Sequence, residues 1–361
     1  MKKEHEQSEI SNENVLEMGY QEADAYIDAI FLAGKAGDRR AVLSLIDLFM
    51  NKDEDGGMRQ CAAVVLGEIR DKRAVRPLIG VLEDEDEDEC LRQSAATALG
   101  KLGDKKAGQP LINALKDDSP HLRRYVATAL GQLADEEAVQ PLIGVLKDKS
   151  NYVRATAATS LGRLADERAV GPLVQILQDG SERVRVVAAT VLGGLGNKDA
   201  VPPLIKALKD DNEKVRAAAA SSLGQLTDER AIQPLIDSLL DESKVVRAIV
   251  LASLMQLADE RAVGPIVQAL DDESESVRVR AASTLGRLGN KEIVQPLIDA
   301  LIHNTKRVKP VVAMALASIA DERAIEPLAE ALESESESVR IWAAVALAAI
   351  YEARLRQDQD G

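Results

Sequence analysis

Seven basic side chains, Lys101, Arg163, Arg183, Lys214, Arg280, Arg287 and Arg307, fall into one register once the sequence is aligned on its internal repeat. His121, Tyr125, Tyr152 and Trp342 share that register. Guanidinium and ammonium groups bind oxyanions through charge-assisted hydrogen bonds, and aromatic rings beside them supply contact area at interfaces. The implied chemistry is recognition of an acidic ligand. No Ser-His-Asp set, Gly-rich phosphate loop, metal-spaced Cys/His cluster or convincing pair of catalytic carboxylates is legible. The expectation is therefore no catalytic residue, no metal and no cofactor.

The register comes from proline, which recurs at 77, 110, 141, 172, 203, 234, 265, 296 and 327, every interval after the first being 31 residues. A period in this range means stacked units instead of one globular core. One unit runs from Asp166 to Gly196. Asp166 reads as an N-cap, and apolar residues at 169, 170, 173, 174, 176 and 177 give a helical face. This first helix of the unit, helix A, carries Pro172 about six residues in, where a missing amide and a ring clash predict a kink. Asp179-Gly180-Ser181 breaks the pattern, and Val184, Ala188, Val191, Leu192 and Leu195 mark the buried face of a second helix, helix B. Small residues recur on helix B, as Ala127 with Gly131, Ala158 with Gly162, Ala189 with Gly193, Ala220 with Gly224 and Ala282 with Gly286, and predict close helix approach.

Composition agrees with small stacked helices, since aromatic residues are only 2% of the 361 residues. The net charge of -15 opposes broad binding to nucleic acid or anionic membrane, though not a local basic patch. No apolar run reaches the length of a membrane span and the N-terminus has no charged-then-apolar pattern, so a cytoplasmic location is expected. Cys61 and Cys90 are read as unpaired thiols.

Two charged columns complete the pattern. Asp follows the proline by seven residues at 84, 117, 148, 179, 210, 241 and 272, and Arg recurs in helix B at 59, 92, 123, 154, 185, 216, 247, 278 and 340. This Pro, Asp, Arg arrangement resembles the HEAT repeat, and the 31-residue period is similar to the short repeats of the phycobilisome-lyase HEAT-like family. The resemblance implies an all-α, right-handed α-solenoid of about ten helix pairs. It further implies that Asp and Arg form a stacked ladder between neighbouring turns and that helix B lines the concave side. The expected organisation is a disordered polar tail over 1–12, an N-terminal capping helix region over 13–37, the solenoid over 38–351 and a polar C-terminal tail over 352–361.

The array departs from itself in three places. Asn51, Asp53, Asp55 and Gly56 partly match a calcium loop, but Ala62 stands where the bidentate Glu is needed, so a solvated acidic turn is expected. The run Glu83 to Glu89 reads likewise as a solvated loop able to meet a basic partner. In the unit from Asn290, His303 replaces the ladder Asp, Lys309 replaces the ladder Arg and Pro310 enters helix B, so the regular contact should weaken there.

Positions three, seven, ten and fourteen of helix B, counted from its N-cap, lie on one stripe because the intervals are four, three and four. The seven basic residues and the four rings named above lie on it, with a single acid, Glu68. The helix dipole favours Lys101, Arg163 and Arg287 near C-termini but disfavours Arg183, Lys214 and Arg307 in first turns. The expected function is a non-catalytic scaffold that holds an acidic segment of a partner protein in a basic concave groove. Two alternatives follow from the resemblance. One is a bilin lyase subunit acting on a tetrapyrrole-carrying protein, with the inner cations facing propionates; the other is a nucleic-acid binder like HEAT-like alkylpurine glycosylases, which the net charge opposes. A di-iron hydroxylase of the same repeat class needs several His-Glu pairs, and the sequence has only His5-Glu6.

Overall fold

In the computed structural model the described residues are 32, 33, 35, 36 and 38–360, with side chains placed as far as 356. The expected tail over 1–12, and the capping helix apart from those four residues, lie outside them. Every regular element among the described residues is helical. Contacts divide them into two compact units between Ile176 and Leu177.

The first unit contains α1 (Arg39–Met50), α2 (Gly56–Ile69), α3 (Val75–Glu83), α4 (Glu89–Leu102), α5 (Gly108–Ala114), α6 (Pro120–Leu133), α7 (Val139–Val145), α8 (Asn151–Leu164) and α9 (Val170–Gln175). The second contains α10 (Glu182–Leu195), α11 (Val201–Ala207), α12 (Glu213–Leu226), α13 (Ile232–Asp237), α14 (Lys244–Leu257), α15 (Val263–Gln268), α16 (Glu275–Leu288), α17 (Val294–His303), α18 (Val308–Ile319), α19 (Ile325–Ala331) and α20 (Glu337–Asp360). In each unit the even-numbered B helices pack side by side in one layer. The odd-numbered A helices lie against them in a second.

Helix A forms differently from the sequence expectation. Asp166 accepts a hydrogen bond from the Arg168 amide at 2.9 Å and starts a 3-10 turn, Glu167–Ala169, which runs into the α-helical segment at Val170. Pro172 is therefore the third residue of α9, where no amide has an α-helical acceptor to lose. The proline does not kink a helix interior. It occupies the first turn of an α-helix that begins later than the periodicity implied. Asp71, Asp104, Asp135, Asn197, Asp228, Asp259, Asn290 and Asp321 cap the equivalent turns in the same way.

The small-residue column brings B helices together. In the first unit, a Cβ built on Gly131 would lie 2.9 Å from the Ser160 Cα, and the Ser160 hydroxyl donates to the Ala127 carbonyl at 2.7 Å. In the second unit Ser222 donates to Ala189 and Ser253 to Ala220, both at 2.8 Å, over Gly193 and Gly224. Each serine thus fills the space its glycine leaves and satisfies its own buried hydroxyl on the neighbouring helix.

The charged columns form the ladder that the resemblance implied. Arg123 donates through Nε and Nη2 to both Asp148 oxygens at 2.7 and 2.9 Å, while Nη1 reaches back to the Asp117 and Asp118 carbonyls. Arg92 meets Asp117 at 2.9 Å in the same unit. In the second unit Arg185–Asp210, Arg216–Asp241 and Arg247–Asp272 repeat the rung at 2.7 to 2.8 Å. Burial by itself would raise the Asp148 and Asp272 carboxyls. The arginine hydrogen bonds and the amides of Ser150 and Ser274 outweigh it and bring both below the ordinary value.

Two rungs are built from residues other than the column predicted. Arg59 pairs with Glu87 through two bonds of 2.7 and 3.0 Å, because the extra residues of the loop carry Asp84 away to Lys52 at 2.9 Å. Arg278 donates instead to Asn304 Oδ1 at 2.7 Å, a neutral acceptor one residue beyond His303. Beyond this rung Lys309 is buried and donates to the Leu301 and Ile302 carbonyls at 2.8 and 2.9 Å. Burial pushes its ammonium below the usual lysine range. Residues 352–360, set apart in the sequence as a polar tail, continue α20.

Candidate functional site

B helices have nearly uniform length because their ends are specified alike. Ser, Asn or Asp caps most of the N-termini, and a residue with positive φ, from Arg70 at 60° to Ala320 at 51°, ends each of the nine from α2 to α18. Fixed ends hold stripe positions in register, so residues of equal rank on adjacent B helices become neighbours.

In the first unit the stripe carries His121, exposed, and Tyr125, half-buried beneath the Arg124 guanidinium at 5.1 Å from the ring centroid. Tyr152 is 52% exposed. Arg163 is exposed, with no ion pair among the described residues. Lys101 is not a free cation: its ammonium bonds to Glu68, the one acid on the stripe, and lowers the Glu68 carboxyl. In the second unit Arg183, Lys214, Arg280, Arg287 and Arg307 are all exposed, and Trp342 is half-buried. Arg307 lies 3.6 Å from Glu275, whereas Lys214, Arg280 and Arg287 have no ionic partner among the described residues.

A cleft of about 690 Å³ opens between α16 and α18, lined by Glu275, Ser276, Val279, Arg280, Ser283, Arg307 and Val311. At its rim α18 starts late: Lys306 and Arg307 form a turn where a regular unit has the first residues of helix B, and Arg307 supplies no side-chain cap.

The acidic loops do not converge on a metal. Asp55 caps α2 by accepting from the Gly57 and Met58 amides, and Asn51 accepts from the Asp53 amide. Among the described residues no group of three or more His, Cys, Asp or Glu is placed to hold a metal ion. Cys61 and Cys90 are exposed free thiols. No described helix is long and apolar enough to cross a membrane.

Sequence reasoning missed two polar series. The first-turn Glu of one B helix accepts from the N-cap of the next, as Ser119 to Glu89 and Ser243 to Glu213 at 2.6 Å, and Glu275 accepts likewise from Thr305, just before α18, at 2.7 Å. The Arg of each Asp-Glu-Arg triplet clamps its own capping Asp, and this holds the Asp166 and Asp228 carboxyls at about 2. The recurring triplet and the recurring first-turn Glu were the available signals.

Repeated helix pairs in two layers, carrying variable exposed side chains on a fixed framework, define the α-solenoid class. Family models described as HEAT repeats match residues 21–100, 42–120, 108–183, 170–255, 239–309 and 263–348. The chain belongs to the HEAT-repeat family. No curated protein sequence matches it. Among solved structures it is similar to importin beta, at 16% identity and a TM-score of 0.65 over 94% of this chain and 55% of that one. Kap95p, in a structure describing its binding to RanGDP, gives 12% identity and a TM-score of 0.64 over 91% and 53%. The Escherichia coli protein YibA gives 24% and 0.51 over 68% and 91%. The chain spans about half the length of the importin beta and Kap95p chains, and at these identities the likeness is one of fold.

Proposed function

We propose that this chain is a non-catalytic, cytoplasmic interaction scaffold whose B-helix layer is the concave side of the solenoid and holds an acidic segment of a partner protein. The observation that carries the reading is the state of Lys214, Arg280 and Arg287. On a molecule of net charge -15, these three are exposed on one layer without an ionic partner among the described residues, while the ladder arginines on the same helices are engaged, Arg216 with Asp241 and Arg278 with Asn304. Such cations add little to stability and much to the capture of an anionic partner. That Kap95p binds a protein, RanGDP, fits the same use of the fold. The 31-residue period is similar to that of the short phycobilisome-lyase HEAT-like repeats, but the B-helix face gives bilin chemistry no specific support.

The test is quantitative affinity purification with the parent chain and with Arg183→Gln, Lys214→Gln, Arg280→Gln and Arg287→Gln combined. Specific partners retained at low salt should be lost from the variant, and from the parent as salt rises. Retention that ignores the four changes sinks the groove assignment.

A further inference from the structure

The B layer of the second unit changes character over three neighbouring helices. On α16 the stripe is Ser276, Arg280, Ser283 and Arg287, hydroxyls and guanidiniums that have no ionic partner among the described residues. At α18 it becomes Arg307, just before the helix, then Val311, Met314 and Ser318 on it, with Met314 67% exposed. On α20 it is Ser338, Trp342, Val345 and Ala349, with Val345 43% exposed and Trp342 half-buried. The cleft between α16 and α18 lies at the change, with Arg280 and Arg307 beside Val279 and Val311.

Neither half explains the other. An exposed methionine and valine on the same stripe as an indole cost hydration without serving the core, which is complete beneath them: Val312, Leu316, Ala343 and Ala346 are buried. Arg280 and Arg287 have no ionic partner among the described residues. Arg307 stands at the positive end of α18, where a cation is disfavoured, and its one ionic partner among the described residues, Glu275, is already bonded to Thr305.

Building on the proposed function, we infer that this face takes a two-part segment of the partner, with carboxylates on Arg280, Arg287 and Arg307 and large apolar side chains on Met314, Trp342 and Val345. Charge complementarity fixes the acidic half and exposed apolar area fixes the other. Neighbouring helices are ~8 to 10 Å apart, so the two halves lie roughly 10 to 20 Å from each other, a span of about three to six residues of extended chain. Polar groups orient the segment, and the flexible thioether of Met314 adapts to the apolar side chain it meets.

Random linear peptides displayed on phage are selected against the full chain, and an enriched peptide is synthesised and titrated by fluorescence anisotropy. The expected consensus is Asp or Glu separated from Leu, Ile, Phe, Met or Trp by about three to six residues. Two variants, Arg280→Glu with Arg287→Glu and Met314→Asp with Val345→Asp, should each weaken binding at least about tenfold. Circular dichroism of each variant should be unchanged, and Met314→Leu with Arg280→Lys should retain most of the affinity. A peptide that depends on the arginines but not on Met314 and Val345 overturns the two-part inference and leaves the acidic groove standing. Peptides that depend on neither pair, or a selection without the acidic and apolar pattern, overturn it as well.

Discussion

Asp166 and Asp228 show how a residue can look functional and be structural. Each is a carboxylate held at about 2 by a bidentate arginine two residues on and by that arginine's amide. Their folded values lie below the ordinary aspartate value, so the stability they contribute is present above about pH 4 and is lost as pH falls through about 2. The ladder acids Asp148, Asp210 and Asp272 are shifted the same way and add to the same acid limb. Thermal unfolding from pH 7 to pH 2 should therefore show a melting temperature that is flat near neutrality and falls below about pH 4. Replacing Arg168 and Arg230 by Gln should lower stability at pH 7 and shrink the acid-dependent part. A profile unchanged by those replacements would remove the clamps from the account. The Asp-Glu-Arg triplets were visible in the sequence as capping signals, but the clamp was not, because sequence spacing does not say which way an arginine folds back.

Among the elements, α18 is where the regular framework thins. Arg278 meets a neutral Asn304 and Lys309 spends its ammonium on two carbonyls. The next unit offers Ser334 where a ladder acid would stand, 25 residues on, the separation of Arg216 from Asp241. Lys309→Arg combined with Ser334→Asp should rebuild a rung and add about 1 kcal/mol, seen as a higher melting temperature and slower amide exchange in α20. Ser334→Asp with Lys309 retained should gain less, since an ammonium cannot serve both carbonyls and the acid in the forked geometry. No gain from the double change would mean that a ladder rung does not strengthen the contact between α18 and α20. The outlying unit was legible in the sequence from His303, Lys309 and Pro310. The replacement of Asp84 by Glu87 was not, because an insertion leaves the column intact in sequence and displaces it in space. Pro172 was misread for a related reason: periodicity alone joined a 3-10 turn and an α-helix into one element.

Across the molecule, the alignment of helix B was legible because the 31-residue period fixes every position, and with it the stripe on which Arg163, Lys214, Arg280 and Arg287 lie exposed. What the stripe lacked in sequence was its pairing: Lys101 is neutralised by Glu68, and Arg307 leans on Glu275. The central claim is that a partner docks on the B layer. Site-specific photocrosslinking tests it most directly, with a photoreactive side chain at Thr190 or Ser283 on B helices and, as controls, at Gln233 or Gln295, exposed on A helices. The account predicts that one partner protein crosslinks from the B positions, through an acidic peptide identified by mass spectrometry, and not from the A positions. Crosslinks to that partner arising from Gln233 or Gln295 and not from Thr190 or Ser283 would contradict it.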